Sequence, residues 1–170
     1  MTFLSKRKDR NEFTQVYAAP LAGGATRQLS HAKNNISSYA LSQDGSWIAY
    51  RMKEAEADSI KKLKKQGFDQ MVEDTWTTLT RLYVENLATG ESHLVSEDEV
   101  NVWGFSWSSD SQMLTYRASE RPFTDDSYMY TDNFIVSREG GPGTQVYDTD
   151  GKLGNAAFSP DDAKIAWLGA

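Results

Sequence analysis

The 170-residue chain contains no cysteine, which excludes a disulfide framework and a thiolate metal site. It has no apolar run long enough to span a membrane, and no apolar segment follows the charged residues 1–10 as in a signal peptide. Basic residues are outnumbered 18 to 24 by acidic ones, and the net charge of -6 argues against a nucleic-acid partner. Composition leaves the compartment open, with the cytoplasm favoured over the periplasm.

Motifs for catalysis and metal binding are lacking as well. Residues 104–108, G-F-S-W-S, fail the G-x-S-x-G nucleophile elbow at its last position, which argues against Ser106 as a nucleophile. His31 and His93 have no partner motif and are expected at the surface. The acidic residues at 97–99 and 125–126 lack the spacing of an EF-hand loop. We therefore expect no catalytic residue, no metal site and no cofactor in this chain.

An internal repeat is the strongest positive signal. Residues 41–50, 107–116 and 158–167 share a large apolar residue, a serine, an aspartate two positions later and a terminal aromatic residue. The aspartates Asp44, Asp110 and Asp161 are separated by 66 and 51 residues. A second segment, at 16–24, 82–90 and 133–141, recurs with the same two offsets. Two segments with both offsets in common indicate a genuine repeat that contains one loop of variable length.

Each repeat unit is predicted to form four short strands, here named a to d in chain order. In the second unit these are residues 35–42, 47–52, 81–87 and 92–95, with Asp44 and Gly45 in a tight turn between strands a and b. Repeated four-stranded antiparallel sheets are typical of β-propeller blades. The predicted fold is all-β, a partial propeller of about three blades: an incomplete blade at 1–31, blades at 35–96 and 100–148, and the start of the next at 154–170.

Propellers close with about 4–8 blades, so this number of blades cannot close into a ring. An open fan would leave sheet edges unpaired, and unpaired edges invite association with another chain. We therefore interpret the sequence either as an excerpt of a longer polypeptide or as a fan that self-associates through its edges.

The loops between strands b and c are the variable part of the repeat. Residues 53–66 are predicted to form a short helix, because they contain good helix formers and no β-branched run. One interpretation is a solvated helix on the blade edge with no specific function, and the alternative is a gate over the propeller face. The matching loop of the next blade is acidic and aromatic, and it supplies the candidate substrate-gating residues: Arg121, Phe123, Asp125, Asp126, Tyr128 and Tyr130.

The repeat resembles a known family of sequences. Residues 158–167, F-S-P-D-D-A-K-I-A-W, resemble the TolB-like, WD40-like propeller repeat, whose usual form is W-S-P-D-G-K-x-I-A-Y. Gln43 replaces the usual proline, and Ser111 and Asp162 replace the usual glycine. Residues 3–7, 14–17, 23–30, 81–91 and 125–130 are similar to the N-terminal propeller of the prolyl oligopeptidase family of serine peptidases, in its acylaminoacyl- and dipeptidyl-peptidase-like bacterial branch.

That resemblance implies a propeller, typically of seven blades, that precedes an α/β-hydrolase domain with the catalytic triad. The chain itself would then be non-catalytic and would gate and select peptide substrates for a hydrolase domain that this sequence does not contain. The alternative is a TolB-like protein-binding scaffold without enzymatic activity. Because the triad belongs to the other domain, the resemblance assigns no catalytic residue here.

Overall fold

A computed structural model describes residues 1–7, 12–68, 70, 78–147 and 151–170. The first two groups of strands form a three-stranded and a four-stranded antiparallel sheet. The three-stranded sheet contains β1 (Thr2–Ser5), β2 (Gln15–Ala18) and β3 (Arg27–Gln28). The four-stranded sheet contains β4 (Ile36–Leu41), β5 (Trp47–Lys53), β6 (Thr80–Asn86) and β7 (Ser92–Leu94).

The second half of the chain repeats this order. A four-stranded sheet contains β8 (Asn101–Trp107), β9 (Met113–Ser119), β10 (Asp132–Ser137) and β11 (Thr144–Gln145). A two-stranded sheet contains β12 (Ala157–Phe158) and β13 (Ile165–Ala166). All pairings join neighbours in the chain in antiparallel fashion. The predicted all-β class and partial propeller are confirmed.

Among the described residues, two helices lie in the b–c connections. Helix α1 spans Asp58–Lys65 and helix α2 spans Thr124–Met129. The predicted helical insertion is therefore present, but the bounds 53–66 were too wide, because Lys53 still pairs with Thr80 as the last residue of β5. Helix α1 buries none of its residues, as the solvated interpretation expects. Helix α2 was not predicted, since its loop was described only as acidic and aromatic.

Stacked aromatic rings recur on strands b and c of successive sheets. Their ring centroids lie 6.0 Å apart for Phe3 and Tyr17, 5.9 Å for Tyr50 and Tyr83, and 5.1 Å for Tyr116 and Phe134. Tyr50 and Tyr116 are almost fully buried and 66 residues apart, which is the repeat offset. Burial raises the pKa of both hydroxyls above the usual range, to about 12 for Tyr116. The sequence repeat thus corresponds to a repeated core.

The irregularities of the sheets repeat too. Strand a carries a β-bulge between Ile36 and Ser38, and again between Val102 and Gly104, 66 residues later. Asparagines at the start of strand a recur as well. Each accepts a hydrogen bond from a backbone amide at the start of strand c in the preceding sheet. These bonds are Thr14 N to Asn35 Oδ1 at 2.8 Å and Thr80 N to Asn101 Oδ1 at 2.9 Å. Bulges of this kind are features of the fold rather than defects.

Candidate functional site: the b–c face

Connections between strands b and c emerge together at one end of the sheets. We call this surface the b–c face; it comprises the described residues between β1 and β2, between β5 and β6, and between β9 and β10, with the strand ends beside them. Described residues of this face line three cavities with volumes of about 730, 410 and 390 Å³. Ligand sites in proteins are usually concavities of this size on loops held by a rigid scaffold.

The β9–β10 connection is held in one shape by an internal ion pair. Arg121 donates from Nε and Nη2 to the two carboxylate oxygens of Asp126, each at 2.8 Å, and Asp126 is almost fully buried. Ser119 Oγ donates to the carbonyl of Arg121 at 2.7 Å and accepts from Trp103 Nε1 at 2.8 Å. A bidentate arginine–carboxylate pair of this kind is geometrically specific. The loop is therefore pre-formed rather than dependent on a ligand for its shape.

The predicted gating residues divide into two groups in the structure. Arg121 and Asp126 pair with each other, and the Arg121 guanidinium lies 5.6 Å from the centroid of the Phe123 ring. These three residues shape the loop. Asp125 is exposed, and Tyr128 and Tyr130 expose 61% and 66% of their surface. The second group is therefore accessible to a ligand.

The largest of the three cavities is rich in carboxylates. Its charged lining residues are Glu97, Glu120, Arg121, Asp126 and Asp132. The Arg121 guanidinium neutralises Asp126, and Glu97 Oε1 accepts a hydrogen bond from Gly143 N at 3.2 Å. The carboxylates of Glu97 and Glu120 add further negative charge to the cavity. The sequence placed Glu97 only in an acidic run without EF-hand spacing and did not select Asp132. The two residues come together because the β7–β8 and β9–β10 connections meet at this cavity.

The 410 Å³ cavity lies on the other side of α2 and has the opposite charge. Trp103, Arg117, Tyr128 and Lys152 contribute its aromatic and basic side chains. Arg117 lies near the end of β9, and its guanidinium donates to Asn155 Oδ1 at 2.9 Å and to the Ser127 carbonyl at 2.6 Å. Burial lowers the pKa of Arg117 from its usual value. Helix α2 thus separates an acidic cavity from a basic one.

An equivalent arginine occupies the preceding sheet. Arg51 is 66 residues before Arg117 and lies at the same position of strand b. Its Nη1 donates to the Trp103 carbonyl, while its Nε is buried without a hydrogen-bond partner. Burial is the main cause that lowers the pKa of Arg51, and the nearby charge of Arg117 adds to it. This recurrence was visible in the sequence, but neither arginine was selected as a candidate site residue.

The side chains examined for nucleophilic catalysis serve other roles. Ser106 Oγ lies 3.1 Å from Thr115 Oγ1 and donates to the Ala156 carbonyl at 3.3 Å. His31 is exposed, as expected, but its Nδ1 lies 2.7 Å from Oε1 of Glu85, which is completely buried. His93 Nε2 lies 2.7 Å from the Arg138 carbonyl. The histidines therefore connect neighbouring sheets, a pairing that no local motif signals.

Across residues 1–7, 12–68, 70, 78–147 and 151–170, no three His, Asp or Glu side chains are grouped so that they could hold a metal ion. No helix within those ranges is both long enough and apolar enough to cross a membrane.

Comparisons with known proteins match the fold but not a sequence family. No family model and no curated protein matches the chain. Among solved structures, a TolB structure from Agrobacterium tumefaciens is similar with a TM-score of 0.57 and 12% identity over 89% of this chain. The alignment covers 46% of that structure, so this chain spans about half of its length. The tricorn protease is similar over 79% of this chain and 14% of its own, with 13% identity and a TM-score of 0.47.

Proposed function

We propose that this chain is the non-catalytic propeller portion of a serine peptidase, and that its b–c face gates and selects peptides for a hydrolase domain absent from this sequence. The observation that carries the proposal is the concentration of cavities, helices and exposed aromatic residues at that one end of the sheets. The resemblance of residues 3–7, 81–91 and 125–130 to the prolyl oligopeptidase propeller supports the family.

Selection of peptides over folded proteins would follow from the shape of the face. A cavity of about 730 Å³ accommodates a few side chains but not a globular surface. The loop that lines it is fixed by the pair of Arg121 and Asp126, so an extended peptide would enter without reordering the loop. Tyr128 and Tyr130 would then supply contact area at low entropic cost, because each has only two side-chain torsions.

A second candidate is the TolB-like scaffold that binds folded proteins. One observation favours it: Tyr128, Met129 and Tyr130 are consecutive and expose 61%, 45% and 66% of their surface. Aromatic residues and methionine are enriched in protein–protein interfaces. The two candidates differ in the partner, a short extended peptide or a folded surface, and they place that partner on the same face.

Fluorescence anisotropy with labelled peptides of six to eight residues tests the proposal. We expect these peptides to bind, and the double variant Tyr128→Ala/Tyr130→Ala to bind them about tenfold more weakly. Leu21→Ala is the matched control, because Leu21 is 90% exposed in the c–d turn of the first sheet. Binding of folded proteins with no peptide binding would favour the scaffold instead. A longer reading frame without a downstream G-x-S-x-G motif would contradict the peptidase assignment.

A further inference from the structure

The guanidinium of Arg117 is fixed by neutral groups and keeps its charge uncompensated. Nε donates to Asn155 Oδ1 at 2.9 Å, and Nη1 donates to the Ser127 carbonyl at 2.6 Å and to Thr131 Oγ1 at 3.3 Å. No carboxylate of the described residues pairs with it, and Nη2 has no hydrogen-bond partner there. Three bonds therefore orient the group while one donor edge stays available.

That available edge belongs to a cavity with a second unpaired cation. Lys152 lines the same space of about 410 Å³, and its ammonium group forms no ion pair with any residue that the structure describes. The chain carries 24 acidic residues against 18 basic ones, so a cavity whose charged side chains are Arg117 and Lys152 differs in sign from the chain as a whole.

Arg51 occupies the position equivalent to Arg117 in the preceding sheet. Its Nη1 donates to the Trp103 carbonyl, and the Trp103 side chain lines the cavity with Arg117. Arg51 also lacks a carboxylate partner among the described residues. Arg51 does not line the cavity itself, but its positive charge at the Trp103 carbonyl adds to the field that favours an anion there.

We propose that the cavity lined by Trp103, Arg117, Tyr128 and Lys152 binds a carboxylate of a peptide, with Arg117 Nη2 and Lys152 Nζ as the donors. The inference rests on the proposed function, because it names the class of peptide that the b–c face selects. A pre-oriented guanidinium donates to a carboxylate at a low entropic cost. The Trp103 and Tyr128 rings would pack against the aliphatic part of the residue that carries the acid.

The charges around the cavity define which way an acidic peptide lies. Across α2, the carboxylates of Glu97 and Glu120 repel an anion, so the acid is directed to the Arg117 side. Ala170 also lines this cavity, and its carbonyl oxygen accepts a hydrogen bond from Lys152 N at 3.0 Å.

The test measures binding of matched peptides to the full 170-residue chain by fluorescence anisotropy. The probe is a labelled Ala-Ala-Phe-Glu-Ala-Ala peptide blocked at both ends, compared with the same peptide containing Gln instead of Glu. A third peptide contains Gln and a free carboxyl terminus, which separates a side-chain acid from a terminal acid. We expect the Glu peptide to bind about tenfold more tightly than the Gln peptide, and added salt to reduce that difference.

Variants of the chain locate the donor. Arg117→Gln should abolish the preference for Glu, and Lys152→Gln should reduce it about threefold. Arg117→Gln also removes the hydrogen bond from Arg117 to α2 and could disturb the loop. Lys152→Gln avoids this problem, because the Lys152 side chain bonds to no described residue. Arg27→Gln is the charge-matched control on exposed strand β3.

The outcomes separate this inference from the proposed function. Equal binding of the Glu and Gln peptides, or a preference that survives Arg117→Gln and Lys152→Gln, overturns the carboxylate site while peptide selection stands. Preference for the free carboxyl terminus alone assigns the site to a terminal acid. Failure of all three peptides to bind contradicts both.

Discussion

The a–b turns and the b–c connections lie at opposite ends of the same sheets and differ sharply in regularity. In all three a–b turns a serine hydroxyl donates to the aspartate two residues later: Ser42 to Asp44 at 2.5 Å, Ser108 to Asp110 at 2.6 Å and Ser159 to Asp161 at 2.5 Å. The described parts of the b–c connections differ from one another, since α1 is solvated whereas α2 buries Asp126. A turn that is held by hydrogen bonds between its own residues keeps the same sequence in each repeat. Loops that are held by different contacts in each sheet can differ in sequence and length.

A smaller difference within the a–b turns shows how successive sheets are joined. Gly45, Ser111 and Asp162 occupy the same position with φ of 70°, 62° and 55°, a left-handed conformation that favours glycine. Ser111 Oγ accepts from Asp44 N at 3.2 Å, and the Asp162 carboxylate accepts from Ser109 N at 2.7 Å and Asp110 N at 2.8 Å. The residues that replace glycine thus bond to the preceding turn, which offsets their backbone strain.

The largest effect is expected from the serine at the centre of an a–b turn. Ser108 is buried, and its hydroxyl also accepts from Met113 N at 2.9 Å. Ser108→Ala leaves that amide unpaired and should lower the free energy of unfolding by about 2 kcal/mol in urea titrations. Ser109→Ala, one residue away and exposed, should change it little. Equal losses would mean that the turn is not held by its serine.

A smaller loss, about 1–2 kcal/mol, is expected at the b–c end from Gly104→Ala. A Cβ at this position would lie 2.3 Å from Asn155 Oδ1, so Asn155 must leave its hydrogen bond to Arg117. Chemical denaturation of the single and double variants measures the coupling. When Asn155 is already alanine, Gly104→Ala should lower the free energy of unfolding much less. An unchanged loss would mean that Asn155 is not the source of the strain.

Two substitutions to glycine at the left-handed position of the a–b turns should change stability to different extents. Asp162→Gly removes two hydrogen bonds and should destabilise the chain by about 1 kcal/mol. Ser111→Gly removes one longer bond and relieves a left-handed serine, so the net change should be close to zero. Thermal unfolding of the two variants side by side is sufficient. The account is wrong if Ser111→Gly is the more destabilising of the two.

The smallest expected effect is a loss of folding stability at low pH. Hydrogen bonds from Ser42, Ser108 and Ser159 lower the pKa of Asp44, Asp110 and Asp161 below the usual 3.8. Because the folded-state pKa is depressed, the stabilisation is complete above 3.8 and is lost as the pH falls below it through the folded-state values.

Melting temperature against pH measures this effect. Asp110→Asn should flatten the acid limb of the curve, whereas Glu91→Gln, an exposed carboxylate outside the turns, should leave its shape unchanged. An acid limb that Asp110→Asn does not alter would contradict the role of the turn aspartates.

Much of the fold could be predicted because the repeat encodes local hydrogen bonding. The serine, the aspartate and the closing aromatic residue recur at fixed spacing, so the strands and turns follow from their positions. The two offsets of 66 and 51 residues located the b–c connection as the variable element.

The candidate site was less accessible from the sequence. Asp125, Tyr128 and Tyr130 were selected from one loop, and the structure leaves them exposed. Glu97, Arg117 and Lys152 come from three separate segments and meet only through packing of neighbouring sheets. The pairing of Arg121 with the buried Asp126 likewise depends on α2, whose six residues carry no side-chain cap to signal a helix.

The central claim is that ligands meet the b–c face and not the opposite end. Amide chemical-shift mapping by NMR, with the blocked Glu peptide added to isotope-labelled chain, tests it most directly. We predict shifts concentrated at Ser127 to Thr131 and at Trp103, Arg117 and Gly154, with the amides of Asp44, Asp110 and Asp161 unmoved. Shifts concentrated in the a–b turns would contradict the account.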